Sequence, residues 1–446
     1  MMRMMRLHAK ALAQLLTGLL AWIAVTLVAS RPAGAVVTGS IFGPGTQTIA
    51  VAVTPLVPPA GGAANAFGVE FARVLSRDLE FSGYFRLLDP RTFVQGSGGA
   101  ADAIDYVGWA AIGAQEIVRG TIETSGDTLT VEAHLFDVAE RREVGEAGRR
   151  LQGPRADLPR LAHRYADHLL EVLTGERGPF DSKIALVSRR GGTLKDLYAW
   201  TFDLSAPVRL TQEQSIVLSP SWRPDRRGIL FTSFRAHRPR LFDVDVATRA
   251  VTAFTPAGAV YLGGAWSPDG SQVLATREQD GNTDIELLDR FGTVMQRLTD
   301  HWGIDVSPAW APDGTRFAFC SNRSGAPQIY VMNLDGSGVR RVSSVGSYNT
   351  SPAWSPKGDR LAWTTRVDNG FQIVVANADG SGARTITTAG SNEDPSWAPD
   401  GRYLVFSSAR GGWRTLWLTD RDGRTLKQLT PGNGDDSQPT WSTRLD

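Results

Sequence analysis

Between Lys183 and the C-terminus, short apolar runs alternate with turn-forming residues in a pattern that repeats. In one unit, residues 317–321 and 328–333 are apolar runs of strand length separated by a polar loop, and residues 339–342 alternate between apolar and polar positions. Such runs, bounded by Gly, Pro and Asn, are typical of β-strands. Together with the short run at residues 308–310, each unit is predicted to contain four strands.

A tryptophan marks every unit at a nearly constant interval. Successive copies are 43 or 44 residues apart, at Trp222, Trp266, Trp310, Trp354, Trp397 and Trp441. A period of about 40–45 residues with four strands per unit is the mark of a β-propeller. The sequence therefore predicts six blades, with the tryptophans in the core because large aromatic side chains are usually buried.

A tight turn follows most of these tryptophans. Five copies continue as Trp-x-Pro, and Asp-Gly comes next at Asp269, Asp313 and Asp400. Pro presets φ, and Gly adopts a conformation that other residues avoid. Calcium needs about six or more oxygens gathered together, whereas these aspartates belong to separate blades. We therefore interpret them as turn residues and expect no metal site.

The phase of the repeat predicts how the ring closes. Residues 183–188 match the second strand of a unit, and residues 438–441 match the first strand. The last strand should therefore pair into the first blade, which removes exposed sheet edges. Loss of residues 436–446 is expected to open the ring and to lower solubility.

The part of the chain before the repeats is predicted to form a small α/β domain. Its predicted helices cover residues 64–81, 106–114 and 158–173, and its predicted strands cover residues 48–53, 85–88, 117–122 and 128–137. The helices carry apolar residues at helical spacing, and the strands are β-branched or alternating. We predict an α+β two-domain protein, with the α/β domain at residues 36–177 and a six-bladed β-propeller at residues 178–446. Residues 36–47 are Gly-rich and are predicted to form a mobile N-terminal arm.

Composition narrows the possible functions. The 446 residues carry a net charge of +1, so nothing in the charge directs the protein to nucleic acid or to anionic membranes. Cys320 is the single cysteine, which excludes an internal disulfide and a thiolate metal cluster. An isolated Cys in an apolar strand is expected in the core. The six histidines lack the spacing of a helical metal site, and we expect them on the surface.

Residues 1–35 have the composition of a secretory signal. Arg3, Arg6 and Lys10 precede an uncharged stretch from residue 11 to residue 29, and residues 33–35 read Ala-Gly-Ala. The alternative is a retained membrane anchor, because the uncharged stretch is nearly long enough to span a bilayer. The cleavage-type spacing of the small residues favours a signal peptide, which predicts a periplasmic protein without a membrane span after cleavage.

Several segments resemble the TolB family of periplasmic proteins of the Tol–Pal system. They are the junction at residues 173–180 that runs into residues 184–188, the segments 78–85 and 88–90, and the repeated Ser-Pro-Ala-Trp-x-Pro-Asp-Gly pattern. The resemblance implies a monomeric binding protein without catalytic residues or cofactors. It implies that the axial face of the propeller binds the lipoprotein Pal, and that the N-terminal segment binds the third domain of TolA. The system supports outer-membrane integrity and envelope constriction during cell division.

The resemblance also assigns partner-binding positions in the loops that lead into the Trp-bearing strands. These positions are Val260, Tyr261, Gly263, Asp305, Val306, Ser307, Tyr348, Asn349, Thr350, Asn392, Glu393 and Asp394. Independently, each Trp-bearing strand is expected to be innermost, so these loops should surround the central opening, and such loops commonly carry recognition residues. Val260 stands where some relatives carry a histidine, and residues 36–47 lack the acidic residues expected of a TolA-binding segment.

Several carboxylates are expected to converge at this opening. They are Asp305, Glu393, Asp394, Asp435 and Asp436. One interpretation is an ordinary hydrated loop surface. The other, which the resemblance favours, is an acidic funnel that receives a partner.

Two other function classes stay open. Propellers with similar repeats accompany serine peptidase domains, but that chemistry needs a Gly-x-Ser-x-Gly turn, and the sequence contains none. A propeller that binds a small molecule or a sugar in its channel is the second alternative, because aromatic and acidic residues are expected to line the channel.

Overall fold

The first domain is a six-stranded sheet that packs against helices. In this computed structural model, residues 48–93, 103–190, 192–202, 207–368 and 370–444 are described. The strands are β1 (Ile49–Val53), β2 (Phe85–Leu87), β3 (Glu116–Ser125), β4 (Thr128–Asp137), β5 (Arg142–Glu143) and β6 (Arg149–Pro154). The helices are α1 (Ala66–Ser82), α2 (Tyr106–Ala111) and α3 (Leu158–Thr174). Strand order is β2-β1-β3-β4-β5, β6 also pairs with β4, and β1 runs parallel to β2 and β3.

Local signals fix the two long helices. Asn65 begins α1 by accepting a hydrogen bond from the Gly68 N–H at 2.9 Å, which satisfies one of the unpaired donors of the first turn. Gly83 ends α1 and Gly175 ends α3, each with φ of 74°, the left-handed conformation that glycine adopts at low cost. The predicted helices and long strands are therefore observed, whereas β5 and β6 were not predicted because their residues are mostly polar.

One histidine contradicts the expectation of surface histidines. His163 is only 5% exposed. Its Nδ1 lies 2.6 Å from Oδ2 of Asp78, another buried residue. The face of α3 that carries His163 packs against α1, so the polar pair is enclosed where the two helices meet. The expectation for Cys320 is confirmed, because its side chain is buried in the propeller.

Six four-stranded sheets form the propeller. The first blade contains β7 (Lys183–Ser188), β8 (Asp196–Thr201), β9 (Val208–Arg209) and β30 (Ser437–Trp441). The second blade contains β10 (Val217–Trp222), β11 (Gly228–Ser233), β12 (Arg240–Asp245) and β13 (Val251–Ala253), and the third contains β14 (Val260–Trp266), β15 (Gln272–Gln279), β16 (Asn282–Asp289) and β17 (Val294–Arg297). The fourth blade contains β18 (Asp305–Trp310), β19 (Arg316–Ser321), β20 (Gln328–Asn333) and β21 (Arg340–Arg341), and the fifth contains β22 (Asn349–Trp354), β23 (Arg360–Val367), β24 (Gly370–Asn377) and β25 (Arg384–Thr385). The sixth blade contains β26 (Asn392–Trp397), β27 (Tyr403–Ser408), β28 (Thr415–Asp420) and β29 (Leu426–Gln428).

The last strand closes the ring as predicted. Strand order in the first blade is β30-β7-β8-β9, and β30 pairs with β7 in antiparallel register. The Trp-bearing strand is an edge strand in every sheet, and the six Trp-bearing strands contact one another around the ring. They are therefore the innermost strands, which completes the six-bladed architecture expected from the repeat.

The phased tryptophans connect neighbouring blades. All six are buried. In three blades, the indole N–H donates to the carbonyl of the residue that precedes the tryptophan of the preceding blade. These bonds join Trp222 to Thr440 at 3.1 Å, Trp310 to Ala265 at 2.9 Å and Trp397 to Ala353 at 3.1 Å. These three tryptophans thus contribute both apolar burial and a directed contact between blades, whereas the other three contribute burial without that bond.

The Asp-Gly pairs are turn residues, as interpreted from the sequence. The Oδ1 atoms of Asp269, Asp313 and Asp400 each accept the backbone N–H two residues later, at 3.1, 2.8 and 2.9 Å. Such side-chain-to-backbone bonds stabilise a tight turn. The carboxylates therefore serve the turns between the first and second strands of their blades.

The α/β domain and the propeller share one hydrophobic core. Phe180, in the segment between α3 and β7, is fully buried, and its ring centroid lies 5.9 Å from that of Phe81 and 5.7 Å from that of Phe202. Glu176 bonds to Arg402 and, at 2.7 Å, to Lys357. Both basic residues lie in the turns that follow the Trp-bearing strands, so the α/β domain contacts that end of the propeller. No helix in the described ranges has the length and apolar character needed to cross a membrane.

Candidate interaction surface on the propeller

The innermost strand of every blade bulges at the same place. Strand pairing shifts register there in all six blades. One residue of each bulge has a positive φ: Ser219 (51°), Gly263 (75°), Ser307 (55°), Ser351 (51°), Asp394 (57°) and Gln438 (49°). Bulges commonly redirect side chains beside functional sites. We call these six residues the bulge ring.

The bulge ring lines a central cavity of about 390 Å³. Hydrogen bonds connect its members across blade boundaries. Gln438 Oε1 accepts the Ser219 N–H at 2.9 Å, and Ser351 Oγ donates to Asp394 Oδ1 at 3.0 Å. The Gly263 N–H donates to Thr232 Oγ1 at 2.8 Å. The backbone of the ring is therefore held in place, while its side chains face a space that a ligand or a partner side chain could enter.

Asp394 is the titratable residue of this cavity. Among the described residues that line the cavity, it alone carries an ionisable side chain. Burial raises the pKa of its carboxyl, and the hydrogen bond from Ser351 opposes that shift. The cavity is otherwise lined by hydroxyl, amide, proline and small apolar groups, so it suits a polar ligand of low charge.

Four of the twelve partner-binding residues predicted from the resemblance are fully buried and have a structural role. Tyr261, Asp305, Asn349 and Asn392 occupy equivalent positions two residues before the bulge ring. Their bonds join Tyr261 Oη to Glu286 at 2.6 Å, Asp305 to Arg323 at 2.8 Å, Asn349 Nδ2 to Gln328 at 2.8 Å and Asn392 Nδ2 to Gln372 at 2.8 Å. Burial, together with the hydrogen bond to Glu286, raises the pKa of Tyr261 to about 12. These residues anchor the starts of the inner strands.

The other eight predicted residues are divided between the cavity and its surroundings. Gly263, Val306, Ser307 and Asp394 line the cavity. Val260, Tyr348, Thr350 and Glu393 lie at the starts of inner strands and are partly exposed. The structure thus brings half of the accessible positions together around one opening. We call the end of the propeller where the inner strands begin the loop face.

The carboxylates near this opening are largely neutralised. Asp305 pairs with Arg323, Asp436 with Arg190, Glu393 with Arg414 at 2.7 Å, and Asp435 with Lys195 at 3.2 Å. Asp305 and Asp436 are also fully buried. These pairs leave Asp394 as the carboxylate directed at the cavity. The loop face therefore has a balanced surface with one half-buried acid, which differs from the open acidic funnel considered above.

Two exposed aromatic side chains on the loop face were not predicted. Trp302, in the loop between β17 and β18, is 73% exposed, and Trp413, in the loop between β27 and β28, is 57% exposed. Both loops open at the end where inner strands begin. Ser219, Ser351 and Gln438 of the bulge ring were also missed, although a recurring residue-Pro pair at 219–220, 307–308, 351–352, 394–395 and 438–439 marks the bulge in the sequence.

Comparison with known proteins assigns the family. The model of the TolB β-propeller domain matches residues 170–445, and the model of the TolB amino-terminal domain matches residues 38–144. The Tol-Pal system protein TolB of Syntrophotalea carbinolica is 40% identical over 193 residues, which are 43% of this chain and 44% of that protein. Its counterpart in Anaeromyxobacter dehalogenans strain 2CP-C is 38% identical over 199 residues, which are 44% of each chain. The matched part thus spans less than half the length of these curated relatives.

A solved structure extends the likeness over most of the chain. The crystal structure of TolB from Acinetobacter baumannii superposes with a TM-score of 0.77 at 26% sequence identity, covering 90% of this chain and 98% of that one. The family model for the propeller alone covers more than half of the chain. With its small α/β domain and its six-bladed propeller, this chain belongs to the TolB family of the Tol-Pal system.

Proposed function

We propose that this chain is a non-enzymatic, periplasmic interaction component of the Tol–Pal system. It binds Pal through the loop face and the third domain of TolA through residues 36–47, and it thereby supports outer-membrane integrity and envelope constriction. Family membership supports the proposal. Residues 1–35, proposed as the signal peptide, and the arm at 36–47 lie outside the described residues. We place the boundary between the two domains at residues 177 and 178.

The observation that carries the Pal proposal is the composition of the loop face. The bulge ring lines a central cavity, and the loop face also exposes Trp302 and Trp413. Binding energy in protein interfaces concentrates in a few large aromatic side chains, and Trp is strongly enriched among them. Exposed tryptophans at the same end of the propeller as the cavity therefore suit a protein partner that inserts a loop into the cavity.

The twelve positions taken from the resemblance have separate roles in this proposal. Val306, Ser307 and Thr350 are accessible and would contact the partner directly. The buried Asp305, Asn349 and Asn392 would act indirectly, because they hold the strands that present those contacts.

Titration calorimetry of residues 36–446 with the soluble Pal domain of the same organism tests the proposal. We expect binding that Trp302→Ala weakens at least tenfold. Phe291→Ala is the matched control, since Phe291 is 77% exposed but lies in the turn between β16 and β17, at the other end of its blade. Undetectable binding by the parent chain, or equal losses from the two substitutions, would contradict the placement.

The arm requires a separate titration with the third domain of TolA. Deletion of residues 36–47 should abolish that interaction. A change in the affinity for Pal after the deletion would show that the arm is coupled to the propeller. Full TolA binding after the deletion would show that the contact lies elsewhere.

A further inference from the structure

A groove between the outer parts of the first and second blades collects arginine side chains. Its volume is about 400 Å³, and Arg209, Arg235 and Arg249 line it together with Gln212 and Glu213. This groove is separate from the central cavity, because the two share no lining residue. Nothing in the proposed partner binding uses it.

Two of the arginines are held in place by buried acids. Arg209 donates through Nε to the Thr211 carbonyl at 2.8 Å and pairs with Asp196. Arg235 lies 3.2 Å from Glu213, whose other carboxylate oxygen accepts from Ser233 at 2.6 Å. Each guanidinium has five N–H donors in a rigid fork. These contacts use only some of them, so both side chains are oriented and retain donors for a ligand.

Arg249 is a different case, because it is exposed and its backbone is strained. It lies in the turn between β12 and β13 with φ of 61°. The corresponding turns of the third to sixth blades use glycine with positive φ, at Gly292, Gly336, Gly380 and Gly423. A side chain in this conformation costs about 1–2 kcal/mol. Within the described ranges, no ion pair involves Arg249. Strain of this kind is often associated with function.

The second blade as a whole is basic. From Val217 to Ala253 it contains seven Arg and three Asp, a net charge of +4, whereas the entire chain has a net charge of +1. Exposed Arg238 and Arg227 add positive charge to the same blade without lining the groove. Such a concentration of charge attracts anions toward this side of the propeller.

We propose that the groove binds a phosphate group, either as free phosphate or as a phosphomonoester headgroup. The three arginines and the carboxylate of Glu213 give the lining of the groove a net charge of +2. Asp196, which pairs with Arg209, lowers the local net charge to +1. A phosphomonoester carries a charge of about −1.5 to −2 and three acceptor oxygens, one for each guanidinium. Arginine forks match phosphate geometry through paired N–H···O bonds. One carboxylate group offers only two oxygens, so even a dicarboxylate such as succinate cannot present three acceptor oxygens on one atom to the three guanidinium groups.

Calorimetric titration of the purified chain with inorganic phosphate, and with succinate for comparison, tests the proposal. We expect phosphate to bind more tightly than succinate, with at least a fivefold loss in Arg249→Gln and less than a twofold change in Arg227→Gln. The second substitution removes an exposed arginine of the same blade that does not line the groove. Thermal unfolding of both variants checks that the propeller remains intact.

Flotation with phosphatidylcholine vesicles, with or without 20% phosphatidic acid, distinguishes the source of the phosphate. Vesicle binding that needs both phosphatidic acid and Arg249, without binding of free phosphate, identifies a lipid headgroup as the ligand. Binding of free phosphate with the stated dependence on Arg249 identifies a soluble ligand. The proposal is overturned by a lack of binding in both assays, by equal losses in the two variants, or by succinate that binds as tightly as phosphate.

Discussion

The hydroxyl of Tyr403 in the propeller donates a hydrogen bond of 2.6 Å to the main-chain carbonyl of Ser82, the last residue of α1. The two residues are 321 positions apart, and both are buried. Burial strongly raises the pKa of Tyr403, so its hydroxyl remains a donor throughout the physiological range. The bond joins the two domains at a point where water cannot replace it.

Removal of this hydroxyl should therefore destabilise the protein. Tyr403→Phe leaves a buried carbonyl without its donor, and we expect a loss of about 1–3 kcal/mol in the free energy of unfolding. Urea denaturation measures the loss. Tyr348→Phe is the control, because Tyr348 is partly exposed, and it should change stability by less than about 0.5 kcal/mol.

Closure of the ring depends on the buried Trp441 and is expected to be independent of the exposed Trp413. Trp441 lies in β30, stacks on Phe202 with centroids 5.4 Å apart, and donates to Ser182 Oγ at 2.8 Å. Trp441→Ala should cost about 3–5 kcal/mol and promote association through an open first blade. Trp413→Ala removes an exposed indole and should leave the melting temperature nearly unchanged. Similar melting temperatures for both variants would show that β30 contributes little to closure.

Acid should weaken the ionic contact between the domains. Burial tends to raise the pKa of Glu176, but hydrogen bonds and charge from Lys357 and Arg402 prevail and lower it to about 2. A lowered carboxyl pKa gives stability that is present above the unfolded-state value near 4.5 and is lost as pH falls toward 2. Glu176 is partly exposed, so after solvent screening we expect Glu176→Gln to cost at most about 1 kcal/mol at pH 7. The difference should vanish in unfolding curves recorded near pH 2.

Replacement of Asp305 or of Glu393 at the loop face by alanine should lower the free energy of unfolding by different amounts. Asp305→Ala leaves the largely enclosed guanidinium of Arg323 without its carboxylate, which should cost about 3 kcal/mol. Glu393→Ala breaks a partly exposed pair with Arg414 and should cost less than about 1 kcal/mol. Thermal unfolding compares them. Because Asp305→Ala is expected to damage the fold, loss of partner binding in that variant does not by itself identify a contact.

The single thiol should report unfolding. Burial raises the pKa of Cys320 to about 12, and its Sγ lies 3.4 Å from the Asn349 carbonyl. Since the thiolate is the reactive form, a thiol reagent at pH 8 should label native protein at a negligible rate and label urea-unfolded protein stoichiometrically. Rapid labelling without denaturant would indicate that the fourth and fifth blades separate readily.

The sequence predicted the propeller well because its strongest signals are local and repeated. Trp310 and Asp313 together define a strand end and a turn, and the six phased tryptophans determine the number of blades and the closing strand. The short strands β5 and β6 lack such a signal, because Arg149 and Arg150 have neither apolar periodicity nor turn chemistry. Pairing with β4 decides their conformation, and that is a long-range effect.

The candidate site was harder to predict because polarity alone does not report exposure. Asp305 and Asn392 were expected at an accessible rim, but partners distant in the sequence, Arg323 and Gln372, allow both side chains to be buried. His163 illustrates the same limit, since its burial depends on Asp78 in another helix. Conversely, exposed Trp302 looks in the sequence like one more core aromatic, and its absence from the 44-residue phase does not reveal its exposure, since Trp363 is also out of phase and is fully buried.

The pairing of β30 with β7 has a consequence for the order in which the blades are completed. The Lys183 N–H bonds to Ser442 Oγ, 259 positions later, whereas the second to sixth blades are each built from consecutive strands. A nascent chain can therefore finish those five blades from neighbouring residues, at little cost in loop entropy. The first blade keeps an unpaired edge until residues 437–441 arrive. The blade that is synthesised first is thus the last to be assembled, and every incomplete chain would carry that open edge.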